Sequence, residues 1–427
     1  MASSLRSLNW LNCTQFLGAA NDNLLKFSMV FLLIDCLGKA AADKIQTAIG
    51  ICFVLPFLLF SPFAGFLADR YSKQRIMIFT KTAEIAVTVL AYFAFRIADT
   101  YLLYAVLFLM ATHSAFFGPS KYGSIPELVP ASILSRANGL INGFTYLAII
   151  FGTLTAPLLT EWFRPHIDRV VLFCIIIACL GLLSSINIPM TPAADPHKRW
   201  SRSSVFEIGH VLRRLWQEPP LFQAILASTL FWFLGAFIQI AIIPYGLTRL
   251  QLPATESTYL YLVMAIGIGI GSLGTGYCSG PRIRLNLLPI GLMGMILIFV
   301  ILGIPGLPLS AVYTILFVLG LAAGLYIVPV NTYIQALCPR NRLGEVMAAE
   351  NFLSFVGILL AALLFGAESQ VFGLNSAEGF LCLAAITLLY GLFLGFQRSR
   401  FHHFKPLSLQ QQAETTEVFP PLAESHR

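Results

Sequence analysis

Two charged residues lie four positions apart inside an apolar stretch near the start of the chain. The segment GAANDNLLKF, residues 18–27, contains Asp22, Asn23 and Lys26. Residues at i and i+4 share one face of a helix, so this carboxylate and this ammonium can pair. In a membrane-spanning helix such a charge costs about 2.5–3.5 kcal/mol unless a partner or a polar cavity receives it. The segment indicates a self-neutralising structural pair, a Lys26 that extends outward along its stem to the membrane surface, or a central polar site, which the flanking asparagines favour.

Polar residues also interrupt later apolar stretches. Glu350 is followed by Asn351, and a carboxylate without a neighbouring cation in such a stretch predicts substrate contact or proton coupling. Lys121 follows Gly118 and Pro119, which are expected to bend their helix. Its ammonium is predicted either to line the inner mouth of a cavity or to anchor at lipid headgroups.

Three further polar residues favour a structural interpretation. Lys81 and Glu84 lie three positions apart, and we predict that they form a structural ion pair near the cytoplasmic end of their helix. His113 lies in the apolar sequence ATHSAFF and is predicted to be a hydrogen-bonded packing residue rather than a ligand.

The composition is that of a protein with many membrane spans. Apolar residues make up 57% of the chain and charged residues only 11%, against a charged share of about 25% in soluble domains. Apolar runs long enough to cross a hydrocarbon core of about 30 Å recur along the sequence. We predict an all-α membrane protein with twelve transmembrane helices, near residues 8–36, 46–68, 75–95, 101–120, 136–160, 169–189, 220–246, 257–279, 285–304, 308–334, 343–367 and 376–397.

The loop charges predict the orientation and the division of the chain. Lys and Arg concentrate in alternate loops and in both terminal segments, so both termini are predicted to be cytoplasmic. Because the basic residues are spread over many loops, the net charge of +7 does not indicate nucleic-acid binding. The longest basic joint, 190–219, carries an amphipathic helix pattern at 205–216 that is expected to lie on the membrane surface. It separates two six-helix halves, 1–189 and 220–397, and a polar tail, 398–427, is predicted to be disordered.

Short echoes relate the two halves, as expected of a transporter built by duplication. FLGA occurs in spans 1 and 7, GPSKYGS in span 4 echoes VPVNTYI in span 10, and NGF in span 5 echoes ENF in span 11. The echoes place Gln239 opposite Asp22, Asn331 opposite Lys121, and Glu350 and Asn351 opposite Asn142 and Gly143. The predicted substrate-binding set is therefore Asp22, Asn23, Lys26, Lys121, Gln239, Asn331, Glu350 and Asn351.

The joint between spans 2 and 3 reads GFLADRYSKQR. It resembles the signature loop of the major facilitator superfamily, which runs G-x-L-a-D-R-x-G-R-K. An aspartate at a helix end can pair with basic residues of neighbouring helices in one conformation and lose them in the other. The predicted conformational latch consists of Gly65, Asp69, Arg70, Arg75 and Arg136.

Within that superfamily the chain resembles the bacterial lysophospholipid transporters, including the transporter half of their fusions to acyltransferases. The segments FLGAANDNLLKFSMVFLL, FFGPSKYGSIPEL, SRANGLINGF and STLFWFLGAF carry the resemblance, which extends to about residue 397. It implies transport of lysophosphatidylethanolamine-like lipids to the cytoplasmic leaflet, with Asp22 and Lys121 in the substrate site. Gln239 and Glu350 depart from the family pattern, in which an arginine and an amide are expected.

Other classes of function lack their sequence marks. No GxxxxGK[ST] loop, metal-ligand cluster, nucleophile elbow or HxxxxD acyltransferase motif occurs, so we predict no enzyme activity, metal or cofactor. The predicted partners are the lysophospholipid, membrane lipids and a separate acyltransferase on the cytoplasmic face of the bacterial inner membrane. The alternative prediction is a proton-coupled exporter of amphipathic drugs or metabolites, with Asp22 or Glu350 as the protonated carboxylate.

Overall fold

A computed structural model describes residues 2–38, 42–198, 207–280 and 282–400 of the chain. The predicted tail lies outside the described residues beyond Arg400, and so do residues 199–206 of the predicted linker. All longer elements in the described part are α-helices. They are α1 Ala2–Leu37, α2 Ala42–Arg70, α3 Lys73–Ile97, α4 Thr100–Leu128, α5 Leu134–Trp162, α6 Asp168–Ile186, α7 Glu207–Trp216, α8 Pro219–Arg249, α9 Ala254–Ser279, α10 Leu287–Leu302, α11 Leu309–Leu337, α12 Leu343–Gln370 and α13 Ser376–Arg400.

Twelve of these helices correspond to the predicted spans. In the described part, eleven are long and apolar enough to cross a membrane, and α10 is a shorter apolar helix of 16 residues. Helix α4 continues eight residues past the predicted end of span 4 because Pro119 and Pro126 are accommodated inside it. Helix α7 lies within the predicted amphipathic segment, whose first two residues are outside the described part. The twelve-helix membrane fold is confirmed.

The same packing scheme occurs in both sets of six helices. In the first set α1 packs against α5, α2 against α4, and α3 against α4 and α6. In the second set α8 packs against α12, α9 against α11, and α10 against α11 and α13. Each relation in the first set has its equivalent in the second, so the two halves are pseudo-symmetric.

Two seams join the halves. Helix α2 packs along α12, and α5 packs along α9. Where α2 meets α12, the rings of Phe57 and Phe355 stack with their centroids 3.8 Å apart. Where α5 meets α9, Gly139 lies so close to Gly276 that a Cβ added at position 139 would be 2.8 Å from the Gly276 Cα.

The hydrogen bonds found between the halves in the described residues lie at one end of the bundle. We call this the basic end, because Arg70, Arg75 and Arg340 are located there. Asn138 of α5 and Gln335 of α11 exchange two amide hydrogen bonds at this end, of 2.7 and 3.1 Å. At the opposite end, the ion pair between Arg164 and Asp35 joins helices of the same half. The contacts in the described part therefore close the bundle at its basic end.

Candidate functional site

Asp22 lies in the middle of α1, and its side chain is hydrogen-bonded to a residue of α4. The Ser114 hydroxyl donates a 2.7 Å hydrogen bond to its Oδ2 atom. Lys26 forms no ion pair with Asp22 in the described part; its Nζ lies 5.0 Å from the ring centroids of Phe27 and Phe53. The interpretation of Asp22 and Lys26 as a self-neutralising pair was therefore wrong. The two side chains point to different neighbours, the ammonium toward aromatic rings and the carboxylate toward a hydroxyl.

Lys81 and Glu84 form the predicted ion pair, with Nζ and Oε2 2.5 Å apart. Their predicted location near a helix end was wrong, because Glu84 is the twelfth of the 25 residues of α3. Glu84 also accepts a 2.8 Å hydrogen bond from the Asn21 amide, beside Asp22. Both side chains of the pair are at most 4% exposed. The pair thus belongs to one buried polar cluster with the NDN segment of α1, a long-range contact that spacing within α3 alone does not reveal.

Lys121 and Glu350 form a second polar layer, nearer the basic end. Lys121 is seven residues beyond Ser114 in α4, a rise of about 10 Å. Both side chains are buried, with residue exposures of 8% and 7%, so Lys121 does not anchor at a membrane surface in this conformation. Glu350 Oε1 accepts hydrogen bonds from the hydroxyls of Ser228 and Ser354.

These two groups belong to different halves, and each contributes to the electrostatic environment of the other. The Lys121 Nζ lies 4.2 Å from the ring centroid of Tyr122, and it makes no salt bridge with Glu350 within the described part. Glu350 Oε2 accepts none of the hydrogen bonds found there, since both serine hydroxyls bind Oε1. A cation and an anion are thus presented by opposite halves, and the hydrogen bonds to Glu350 found in the described part go to one of its two carboxylate oxygens.

The other predicted site residues are less closely connected. Asn23 donates to the Ala19 carbonyl of its own helix, 2.8 Å away. Gln239 is exposed and Asn331 is half-buried, and the described contacts include no hydrogen bond from either side chain. Asn351 lies beside Gly118 of α4, and its buried Nδ2 atom has no hydrogen-bond partner in the described part. The structure therefore groups Asp22 with α3 and α4, and Lys121 with Glu350 and Asn351.

Asp69 joins the halves at the basic end. Its buried carboxylate accepts hydrogen bonds from the backbone N–H groups of Gly344 and Glu345, at 2.7 and 3.1 Å. These groups lie in the first turn of α12, where backbone donors have no partner within their own helix. An anion at a helix N-terminus is also favoured by the helix dipole. Asp69 therefore caps a helix of the other half.

Lys198 of the linker completes this contact, and sequence reasoning missed it. Its Nζ lies 2.8 Å from Asp69 Oδ2 and 2.9 Å from Glu345 Oε2. Partial burial of Lys198 disfavours its charged form, but the two carboxylates outweigh this effect and raise its pKa above the ordinary value. The only sequence signal was the basic character of the linker, which does not specify a partner.

The remaining latch residues differ in their contacts. Gly65 packs directly on α12, since an added Cβ would lie 2.6 Å from the Ala348 Cβ. Arg136 of α5 donates a 3.2 Å hydrogen bond to the Tyr277 hydroxyl of α9 and lies over its ring. Arg70 stacks on Phe66 and Tyr71 of its own half.

Two basic residues of the signature loop have different environments. Arg75 is exposed, and no hydrogen bond or ion pair of its side chain is found in the described part. Lys73, by contrast, is completely buried and forms an ion pair with Glu127 of α4. Of the predicted latch, Gly65, Asp69 and Arg136 thus contact the other half in this conformation.

Comparisons with known proteins agree with this architecture. The sequence model of the Major Facilitator Superfamily matches residues 11–362. The Lysophospholipid transporter LplT of Enterobacter sp. (strain 638) is 27% identical over 387 residues, covering 88% of this chain and 93% of the relative. The protein of the same name from Serratia proteamaculans (strain 568) is 26% identical, covering 86% and 89%. The crystal structure of the human organic anion transporter MFSD10 has a TM-score of 0.75 at 14% identity, covering 91% of this chain and 99% of that chain.

Proposed function

Because the chain belongs to the major facilitator superfamily, we propose that it moves lysophospholipids of the lysophosphatidylethanolamine type across the bacterial inner membrane. The lipid is delivered to the cytoplasmic leaflet by alternating access of the two halves. The similarity to proteins named lysophospholipid transporters, over most of both chains, supports this substrate class.

The opposed charges of Lys121 and Glu350 carry the proposal. A lysophosphatidylethanolamine headgroup contains a phosphate and a primary ammonium joined by two carbons. The phosphate is suited to Lys121, and the ammonium is suited to the Oε2 atom of Glu350, as charge-assisted hydrogen bonds. One zwitterion would thereby neutralise both buried charges and bridge the two halves. The aromatic rings beside the site provide apolar surface for the adjoining part of the lipid, with Tyr122 in contact with the lysine.

The remaining predicted site residues have secondary places in this scheme. Asp22, Asn23 and Lys26 line the pathway above the headgroup layer, and Gln239 and Asn331 face it when the halves change position. Asn351, whose amide donor has no partner in the described part, is placed to bind a phosphate oxygen beside Lys121.

Alternating access requires the basic end to open. The halves 1–189 and 220–397 rock about the site, and the linker 190–219 keeps them connected. We place both termini and the basic end on the cytoplasmic side, following the distribution of Lys and Arg. Release of the Asp69 contact with α12 then opens the pathway toward the cytoplasm. We assign no catalytic step to the chain itself, and a separate acyltransferase acylates the delivered lipid.

Uptake of labelled lysophosphatidylethanolamine tests the proposal. Spheroplasts lacking their own transporter would be compared with and without this protein, counting the label that reaches the diacyl form. We expect uptake with the wild type and about a tenfold loss in Glu350→Gln and in Lys121→Gln, corresponding to about 1.4 kcal/mol for a lost charged contact.

Matched controls remove equivalent charges elsewhere. Glu256→Gln and Lys44→Gln change exposed residues at the opposite end and should retain wild-type uptake. No uptake by a folded wild-type protein would refute lipid transport and favour export of other amphiphiles. Full uptake by both site variants would refute the assigned headgroup contacts.

A further inference from the structure

A short hydrogen-bonded chain runs from α1 to α4 within the buried polar cluster. The Ser114 hydroxyl donates to Asp22 Oδ2 at 2.7 Å, and the same oxygen lies 3.4 Å from His113 Nδ1. A serine hydroxyl has a single proton to donate. Since that proton is directed to Asp22, a hydrogen bond over this long contact with His113 takes Nδ1–H as the donor and the serine oxygen as the acceptor.

Both ends of this chain finish in a buried atom without a partner. Asp22 Oδ1 and His113 Nε2 have no hydrogen-bond partner in the described part of the structure. With the proton on Nδ1, the Nε2 atom carries a lone pair, as the carboxylate oxygen does. An unsatisfied buried polar group costs about 1–3 kcal/mol. Each end therefore has a lone pair that is available to an added proton.

The charges around the chain come from several helices. Glu84 and Lys81 of α3, Lys26 of α1 and the Cys174 thiol of α6 face Asp22. Lys81 and Glu84 form an ion pair with each other. Lys26 lies between aromatic rings rather than on Asp22, and α2 contributes the ring of Phe53 at that position.

Lys81 and Lys26 balance the negative charges of Glu84 and Asp22, but neither lysine forms an ion pair with Asp22 within the described residues. Helix α5 packs on α1 at Gly152, which meets Ala20 and Asn23 and supplies no charge. The negative charge of Asp22 is therefore left without a directly bonded cation in the described part.

We propose that Asp22, Ser114 and His113 form a proton-carrying chain that binds one exchangeable proton. A proton arriving at Nε2 forms an N–H bond there, and Nδ1 releases its own proton to the Ser114 oxygen. The original hydroxyl proton of Ser114 passes to Asp22 Oδ2. The products are neutral His113 with the proton on Nε2, an unchanged serine and a neutral aspartic acid. No electrons are transferred, and charge and atoms balance.

Such a chain would couple transport to proton movement, whichever amphiphile is carried. Chains of carboxylates and histidines inside membrane proteins are suited to proton relay. This one lies on α1 and α4 of the first half, whereas Glu350 belongs to the second half. The proton-carrying chain is separated along α4 from Lys121 by seven residues, so it can bind its proton without occupying the Lys121 and Glu350 layer.

Infrared difference spectroscopy tests the chain without any lipid substrate. Purified full-length protein in lipid is compared between acidic and alkaline buffer, in H₂O and D₂O. We expect a carboxylic-acid carbonyl band from Asp22 that is lost in Asp22→Asn. In Ser114→Ala the same band should move in frequency and titrate at a different pH, because the hydroxyl link is removed. Histidine ring bands, identified by ring-labelled histidine, should change in the same titration and lose that change in Asp22→Asn.

The control removes a buried hydroxyl from the same helix. Ser120 is fully buried and its hydroxyl has no partner in the described part, so Ser120→Ala should leave the Asp22 band unchanged. A wild-type spectrum without a titrating carboxylic-acid band would overturn the proposal. A band that is identical in wild type and Ser114→Ala would also overturn it. If Asp22→Asn does not fold, the carboxylic-acid band of Ser114→Ala is compared with that of Ser120→Ala, and this comparison is sufficient to test the proposal. Because no lipid is added, failure here leaves the result of the uptake experiment unaffected.

Discussion

The two seams between the halves occupy equivalent positions, and each contains a close glycine contact, Gly65 on α12 and Gly139 on α9. They differ in their polar contacts, since a buried carboxylate and a lysine cross the first seam and Arg136 and the Tyr277 hydroxyl cross the second. In the α2–α12 seam, Asp69 caps α12 and Lys198 bridges the two halves with charge. In the α5–α9 seam, the backbones of Gly139 and Gly276 are in direct contact. Electrostatic attraction extends over several ångströms, whereas close packing is lost with a small displacement. The charges of the α2–α12 seam can therefore attract the two halves before they touch, whereas the glycine contact of the α5–α9 seam forms only when the helices are in register.

This difference predicts which substitutions open the basic end. Spin labels at positions 75 and 340 measure the separation of the halves there, because both side chains are exposed and belong to different halves. A second pair at positions 101 and 371, also exposed, measures the opposite end. We expect substitutions that add volume to open the α5–α9 seam, and substitutions that remove charge to open the α2–α12 seam.

The largest effect is expected at Gly139. In Gly139→Ala the new methyl group would lie 2.6 Å from the Ser272 carbonyl oxygen and 2.8 Å from the Gly276 Cα, both backbone atoms. Overpacking of this kind costs about 1–3 kcal/mol, so the ratio of closed to open protein should fall by about 5–150-fold. The label pair at 75 and 340 should report a larger separation.

The matched control is Gly274→Ala in the facing helix α9. A Cβ at that position meets no atom within 4 Å, so the distance distribution should remain that of the wild type. An unchanged distribution in Gly139→Ala would show that the α5–α9 seam is not held by backbone contact.

The second effect is expected at Asp69. Asp69→Asn keeps the size of the side chain but removes the negative charge from the N-terminus of α12 and from Lys198. The loss of these charged contacts should cost about 1–2 kcal/mol and open the basic end about 5–30-fold. Electron paramagnetic resonance on the same labels would measure the change.

Asp99→Asn is the control for this charge change. Asp99 caps its own helix through the Leu102 N–H and does not connect the halves. Equal opening by the two variants would indicate a general loss of stability rather than the release of a seam.

The smallest effect is expected at Lys198, whose side chain is 17% exposed. Lys198→Gln should reduce the free energy of closure of the basic end by about 0.5 kcal/mol. Added salt should reduce the difference in closure between the wild type and Lys198→Gln, because it screens the lost ion pair. The raised pKa of Lys198 implies that its contribution is present below the ordinary lysine value and is lost only as the pH rises through the higher one. Its contribution to closure should therefore be constant between about pH 6 and pH 9. A decline within that window in wild type, absent from Lys198→Gln, would contradict this assignment.

The sequence allowed the features that depend on local pattern to be predicted. Long apolar runs identified the twelve helices, and the loop motif singled out Asp69 at a helix end. The motif predicted basic residues of neighbouring helices as its partners, whereas the structure gives it the backbone N–H groups of α12 and Lys198 of the linker. Contacts between distant segments could not be predicted in the same way. The Asn21 contact with Glu84 spans 63 positions, and the bridge from Lys198 to Glu345 spans 147. Helical spacing allowed an ion pair between Asp22 and Lys26. In the folded chain Asp22 instead accepts a hydrogen bond from Ser114, and Lys26 lies near two aromatic rings.

One distance measurement tests the central claim of lysophospholipid transport by alternating access. The wild type, labelled at 75 and 340 or at 101 and 371, would be reconstituted and titrated with lysophosphatidylethanolamine. The account predicts that the lipid increases the separation at the basic end and decreases it at the opposite end, and that Glu350→Gln reduces both changes. If the lipid changes neither distance while the Gly139→Ala variant still opens the basic end, the halves can move but this lipid does not drive them, and the account is wrong.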